Sequence, residues 1–387
     1  MAHRAAIVGA GHTRFGVLDD GPRALIRSTV ELAFASVDRG AERKDVSEAF
    51  LATLGFGGSQ IGNSAAVLAE EAGVVGIPVT RVENACASGG FAIRSAVGAL
   101  AARASPLVLV VGVEKMTDVS NARRRYWLGV SGDTEWERLA GLTFAGVYGL
   151  IASRYFTEHG DASEALAEVA VKNHENGALN PNAHFQRKIT RADVRSAPLV
   201  ADPLGLFDCC PVSDGAVALL LSPPEIARRF TDTPVYVDGL GAGTDPLAVQ
   251  ERAKLTSFRA TQRAAHEAFR SAGWHRSDVS FLEVHDCFTI AELLALEDLG
   301  FAGPGEAAAL TLSGETRRGG RLPVNPDGGL KSKGHPIGAT GVSQAYEIFL
   351  QLRGEAGSRQ VSHAGHALAQ NVGGAGATAA VTLFSVG

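Results

Sequence analysis

Ala33-Phe34-Ala35-Ser36, a polar interval, Asp45-Val46-Ser47 and the apolar run Ala49 to Leu54 form a stretch that occurs twice in this chain. The second copy is Ala268-Phe269-Arg270-Ser271, then Asp278-Val279-Ser280 and the apolar run Phe281 to Val284. Each copy reads as a helix, a short loop and a strand, and a short apolar run bounded by polar loops suits a strand buried on both faces. Two such copies predict two similar α/β halves, residues 1–223 and 224–387.

Working outward, further buried strands are expected at Ala5 to Val8, Val79 to Val82, Leu107 to Val111, Ala216 to Leu221, Val235 to Leu240 and Ala379 to Phe384. Helical patterns run over Ala24 to Asp38, Ser88 to Ala102, Thr256 to Ala272, Thr289 to Leu299 and Ala339 to Leu352. Strands alternating with helices place the chain in the α/β class. From about residue 117 to 205 the texture changes to Arg, Asn, His and Trp, with helical patterns of its own at Thr143 to His159 and Ser163 to Asn176. So long an insertion reads as a substrate-side surface, or as an excursion serving stability alone.

The 387 residues are 45% hydrophobic and 20% charged, which supports a large core. A net charge of -5 offers no electrostatic footprint for nucleic acid or an anionic membrane. The apolar runs are strand-sized, short of the roughly 20 residues a bilayer requires, and no cleavable leader is apparent, so a cytoplasmic location is expected. Cysteines stand at 86, 209, 210 and 287 without metal-finger spacing, so neither a disulfide scaffold nor a metal site is expected.

Asn84-Ala85-Cys86-Ala87-Ser88-Gly89-Gly90 puts a thiol between a short strand and a helix start, where N–H groups and the dipole favour thiolate and can hold an oxyanion. Small residues at 85, 87, 89 and 90 leave room for an acyl group; the plain alternative is a buried apolar cysteine. Gly334-His335-Pro336-Ile337-Gly338-Ala339-Thr340-Gly341 fixes a histidine in a glycine-rich turn, as suits a base. Glu283-Val284-His285-Asp286-Cys287-Phe288 sets polar, reactive residues at a strand end, where packing does not ask for them. The glycines of Asn371-Val372-Gly373-Gly374-Ala375-Gly376 let a backbone N–H approach a ligand, or make a tight turn.

In this order these motifs resemble thiolases over essentially the whole chain, together with Gly112-Val113-Glu114-Lys115-Met116 and Cys209-Cys210-Pro211-Val212-Ser213-Asp214-Gly215-Ala216. The likeness is greatest to the sterol-carrier-protein-type and archaeal acetyl-CoA acetyltransferase branch. It implies a five-layered αβαβα fold of two βαβαβαββ halves, a homodimer or dimer of dimers, and acyl-CoA substrates with no permanently bound cofactor. It implies Claisen condensation or thiolytic cleavage with Cys86 as nucleophile and His335 as its activator. His285 would line the first oxyanion hole, Cys287 would move the α-proton, and the backbone N–H groups of Cys86 and Gly373 would form the second hole. Many thiolases carry their second cysteine where this chain has Asn371, which shifts that role to Cys287.

Two other readings compete. One is a carbon–carbon lyase or atypical acyltransferase of the same fold, acting with a small OB-fold partner protein; the pair Cys86 and Cys287 speaks against a lyase, which has no use for a nucleophilic thiol. The other is a noncatalytic lipid carrier, against which the full set of reactive residues speaks. Val8-Gly9-Ala10-Gly11 and Gly239-Leu240-Gly241-Ala242-Gly243 resemble dinucleotide fingerprints but lack the helix and acidic residue that motif requires. Asp208 and Asp214 are expected to serve turns. The CoA phosphates have basic candidates in Arg123 to Arg125, Lys188 and Arg191.

Overall fold

The computed structural model describes residues 3–55, 62–102 and 106–387. Its first half runs β1 (Ala5–His12), α1 (Pro22–Ala35), β2 (Val46–Ala52), α2 (Ser64–Ala72), β3 (Val79–Val82), α3 (Ser88–Ala102) and β4 (Leu107–Glu114). The insertion holds α4 (Asn121–Gly129), α5 (Phe144–His159), α6 (Ser163–Gly177), α7 (Arg191–Ser196) and a ribbon of β5 (Leu199–Ala201) and β6 (Leu204–Gly205), before β7 (Gly215–Ser222). The second half runs β8 (Val235–Thr244), α8 (Arg259–Ala272), β9 (Phe281–Glu283), α9 (Thr289–Asp298), α10 (Ala307–Leu312), α11 (Gly329–Ser332), α12 (Thr340–Leu352), β10 (His366–Gly373) and β11 (Thr378–Val386).

The sheet order is β3-β2-β4-β7-β1-β8-β11-β10-β9. β1 and β8 meet only through Ala5 to Ile7 against Val235 to Val237, so the sheet is two half-sheets joined at an edge. Read outward from that junction, β1-β7-β4-β2 repeats as β8-β11-β10-β9 with the same senses: antiparallel, antiparallel, parallel. Beyond β2 the first half adds β3 in parallel; beyond β9 the second adds one parallel bridge, Leu282 to Val324. The repeat in the sequence is thus a repeat in topology.

Strand alternation builds the layers. Ala6 and Val8 face α1, while Ala5 and Ile7 face the opposite way, onto a core shared with α3 and α12. α8 and α9 cover the far side of the second half-sheet. The order is α1/α2, half-sheet, α3/α12, half-sheet, α8/α9: five layers, as expected. Ala85–Ala102 has the length and apolarity of a membrane-crossing segment, a candidate the strand-sized runs did not suggest. Its apolar character has another use, since α3 lies in the central layer between two sheets.

The glycines that mimic a dinucleotide fingerprint lie within β1 and β8. A Cβ on Gly11 would run into the backbone of α1 at Thr29 and Ala33, and one on Gly241 into that of α8 at Ala264. In both halves they let a helix lie directly on its strand. The main departure is β10, which was not expected as a strand. Its Gln370 and Asn371 break the apolar pattern because they serve the site, and the strand continues through Gly373, so the final glycine turn is shorter than the motif suggested.

Candidate active site

Cys86 sits in the turn between β3 and α3. Ala85 adopts a left-handed backbone (φ 49°), a strained conformation for a residue with a Cβ. The Ser88 hydroxyl holds the turn, accepting from the Asn84 N–H at 3.0 Å and donating to the Ala85 carbonyl at 2.6 Å. The thiol is 3% exposed in an apolar cluster with Leu54, Met116 and Ile337.

Two expectations for this turn are corrected. Burial, the largest influence, pushes the Cys86 thiol up rather than toward thiolate, although the Gly374 and Cys86 backbone N–H groups favour the anion. The Ala87, Ser88 and Gly90 N–H groups at the helix start are taken by Asn84, Ala85 and Asn371, which leaves little of the helix terminus for the sulfur. Nor do all the small neighbours make room for an acyl group. A Cβ on Gly89 would meet the Val342 nitrogen at 2.7 Å, and one on Gly90 the Ala380 side chain at 2.8 Å, so these glycines admit α12 and β11.

His335 precedes α12 in a turn buried against Ser213 and Thr340. Its Nδ1 lies 2.6 Å from the Thr340 hydroxyl, which donates its own proton to the Pro336 carbonyl at 3.0 Å. Nδ1–H is therefore the donor of that bond, and Nε2 keeps its lone pair, as a base requires. Burial, with Lys333 second, lowers His335 to about 3, so the ring is neutral near pH 7.

His285 leaves the end of β9, its N–H held by Gln370 Oε1 at 2.9 Å. Its ring stands edge-on to that of His335, centroids 5.1 Å apart. The Cys86 sulfur and one nitrogen from each of His285 and His335 lie within 4.8 Å of one another. A thiol and two imidazoles are donors suited to a soft divalent ion, so the residue types alone do not dismiss a metal.

Cys287 follows, 2% exposed. The Asp286 carboxylate anchors this loop by accepting from the Leu330 N–H at 2.7 Å, the Lys331 N–H at 3.2 Å and the Asn173 amide at 2.7 Å. Burial pushes the Cys287 thiol up, the Tyr148 hydroxyl draws it down and the neighbouring Cys86 sulfur adds to the rise. Tyr148, fully buried and stacked on Phe288 at 4.4 Å, went unnoticed in the sequence because an apolar helix pattern conceals a single inward hydroxyl.

Gly373 and Gly374 line a 380 Å³ cavity beside Asn84 and Ala85, walled by Leu54, Trp127, Val130 and Leu247. The Gly374 N–H, next to the expected Gly373, is the one in this loop that favours the Cys86 thiolate. The insertion thus supplies part of the wall through Trp127 and Val130. Two basic candidates for CoA phosphate are otherwise engaged: Arg124 donates to the Met116 and Val119 carbonyls, and Arg191 pairs with Glu164 and Glu168. Asp208 and Asp214 serve turns as expected; Asp214 takes the Lys115 ammonium and the Leu18, Met116 and Thr117 N–H groups.

The family described as Thiolase, N-terminal domain, matches residues 5–225, and Thiolase C-terminal domain-like matches residues 241–386. The chain is 44% identical to an acetyl-CoA acetyltransferase of Methanothermobacter thermautotrophicus over 98% of this chain and 99% of that one. It is 33% identical to sterol carrier protein 2 of Gallus gallus, covering all of this chain and 72% of that protein. Among solved structures, the Ltp2-ChsH2(DUF35) aldolase superposes with a TM-score of 0.85 at 26% identity, covering 98% and 97% of the two chains. With both halves matched in order and the Cys86 thiol gathered with the His285 and His335 imidazoles, the chain belongs to the thiolase family.

Proposed function

We infer that this chain is a CoA-dependent acyltransferase that joins two acyl-CoA molecules by Claisen condensation or, in reverse, cleaves a 3-oxoacyl-CoA with CoA. The observation that carries this reading is the approach of Cys86, His285 and His335 donor atoms to within 4.8 Å in a buried pocket. The relationship to the acetyl-CoA acetyltransferases supports it.

In the first half-reaction, the Cys86 thiol gives its proton to His335 Nε2 and its sulfur attacks the thioester carbonyl. Backbone N–H groups of Cys86 and Gly373 hold the tetrahedral oxyanion. CoA departs with a proton from Cys287, leaving an acyl thioester on Cys86. In the second, the Cys287 thiolate takes the α-proton of another acyl-CoA while His285 and His335 donate to the enolate oxygen. The enolate carbon attacks the acyl thioester, and the Cys86 sulfur leaves and recovers its proton from His335. Both cysteines end as thiols and no redox equivalent is consumed. CoA enters as substrate, and the reading calls for no resident cofactor or metal.

The chain would act as a homodimer or dimer of dimers, in the cytoplasm, where its four free cysteines stay reduced. Likeness to an aldolase complex keeps a second reading in view, a carbon–carbon lyase or acyltransferase with a small OB-fold partner. Intact-protein mass after mixing with acetyl-CoA separates the two. An acyl adduct on the wild type that is lost in Cys86→Ser is expected; an unmodified wild type would overturn the acyl-enzyme reading.

A further inference from the structure

Asn371 stands where many thiolases have a catalytic cysteine, and its carboxamide is held from three sides. The Gly90 N–H donates to its Oδ1 at 3.0 Å, which fixes which end of the amide is oxygen. Its Nδ2 donates to the Cys86 carbonyl at 2.9 Å and lies 3.3 Å from His285 Nδ1. An amide NH₂ has two protons and nothing to accept with, so His285 Nδ1 must be the acceptor. A neutral imidazole that accepts at Nδ1 carries its proton on Nε2. That Nε2 is buried and has no hydrogen-bond partner among the described residues. Leaving such a group unmatched is costly to the fold, which is the mark of a donor kept for a ligand.

We propose that Asn371 is a positioning residue that sets the tautomer of His285, holding the proton on Nε2 for a substrate oxygen and thereby denying that nitrogen to a metal ion. The second clause follows from the first. Cys86, His285 and His335 have the composition of a soft-metal site, but with Nδ1 accepting from Asn371 and Nε2 carrying the proton, neither nitrogen of His285 offers a free lone pair. An aspartate at 371 would still accept from Gly90 and would also accept from His285 Nδ1–H. It would move the proton and present the Nε2 lone pair, as carboxylate–histidine–metal arrangements do. The side chain has space because residue 341 is glycine; a Cβ there would collide with Asn371 Oδ1. The use made of the Nε2 proton rests on the acyl-transfer reading above, whereas the tautomer stands without it.

The decisive measurement is ¹⁵N NMR of the full-length wild-type chain labelled at histidine, near neutral pH, with His285 assigned by its loss in His285→Asn. A protonated Nε2 and bare Nδ1 are expected; a proton on Nδ1, or a charged ring, overturns the proposal whether or not the protein is acylated by acetyl-CoA. In Asn371→Asp the pattern should reverse, and α-proton exchange of acetyl-CoA should fall about 10²–10³-fold, the loss typical of a missing oxyanion donor. Zinc chloride should inhibit Asn371→Asp at roughly ten-fold lower concentration than wild type, in line with the effect of such partners on metal affinity. Equal sensitivity to zinc would remove the metal-exclusion clause.

Discussion

Burial sets the resting state of the reactive residues. It lowers His335 to about 3, depresses His285 and raises both Cys86 and Cys287, so the resting pocket holds neutral thiols and neutral imidazoles. Because the shift in His335 is downward, acidification does not remove its basic form until pH nears the folded value. kcat/KM measured between about pH 5.5 and 7.5 should show no ionisation at the ordinary imidazole value of roughly 6.5. Burial raises the Asp286 carboxyl of the same loop to about 7, so a limb at that position that persists in Asp286→Asn would mean that His335 titrates as an exposed histidine does. Thr340 fixes its tautomer, so Thr340→Val should slow Cys86 acylation roughly ten-fold, the equivalent of about 1.4 kcal/mol for one buried hydrogen bond. Thr340→Ser keeps the acceptor and should restore the rate in a rapid-quench acylation assay; loss in both variants would deny the hydroxyl this role.

Elements touch here through backbone as much as through side chains. β8 accepts α8 because Gly241 has no Cβ to strike the Ala264 carbonyl. Gly241→Ala should therefore lower unfolding free energy by about 1–3 kcal/mol, as overpacking does. Gly98, exposed on α3 with open space around its Cα, provides the contrast. Gly98→Ala should raise stability by about 0.5–1 kcal/mol through helix propensity. Denaturant titration measures both, and equal effects would mean that contact with the neighbouring element is not what selects glycine at 241. Both glycines were visible in the sequence, but which one a helix touches became clear only with α8 in place. β10 was obscured for a related reason, because a strand that spends Gln370 and Asn371 on the pocket loses the apolar pattern by which strands are read.

In the whole molecule, the pocket belongs to neither half alone. Cys86 comes from the first, and His285, Cys287, His335 and Asn371 come from the second. The central layer that joins them, α3 against α12, is apolar on its inner face. Residues 1–223 and 224–387 produced separately should therefore expose that face and fail to acylate, whereas co-expression should recover some of the acyl adduct seen by mass spectrometry. Activity in either half alone would contradict a shared site. Light scattering of the intact chain should give twice the 40.2 kDa of one chain or a higher multiple; a monomer mass would set aside the dimer expected from the family likeness.

The α/β class and the doubled architecture were determined by sequence alone, because they rest on local patterns of apolar runs and glycine turns; the same reading nominated Cys86, His285, Cys287 and His335 through motifs that resemble a known family. Tertiary structure decided the rest. Whether Cys86 is charged depends on how much water its neighbours exclude. Which nitrogen of His285 carries the proton depends on an amide 86 positions away. Electrostatics and proton placement are properties of surroundings assembled from distant parts of the chain, and no local run of residues encodes them.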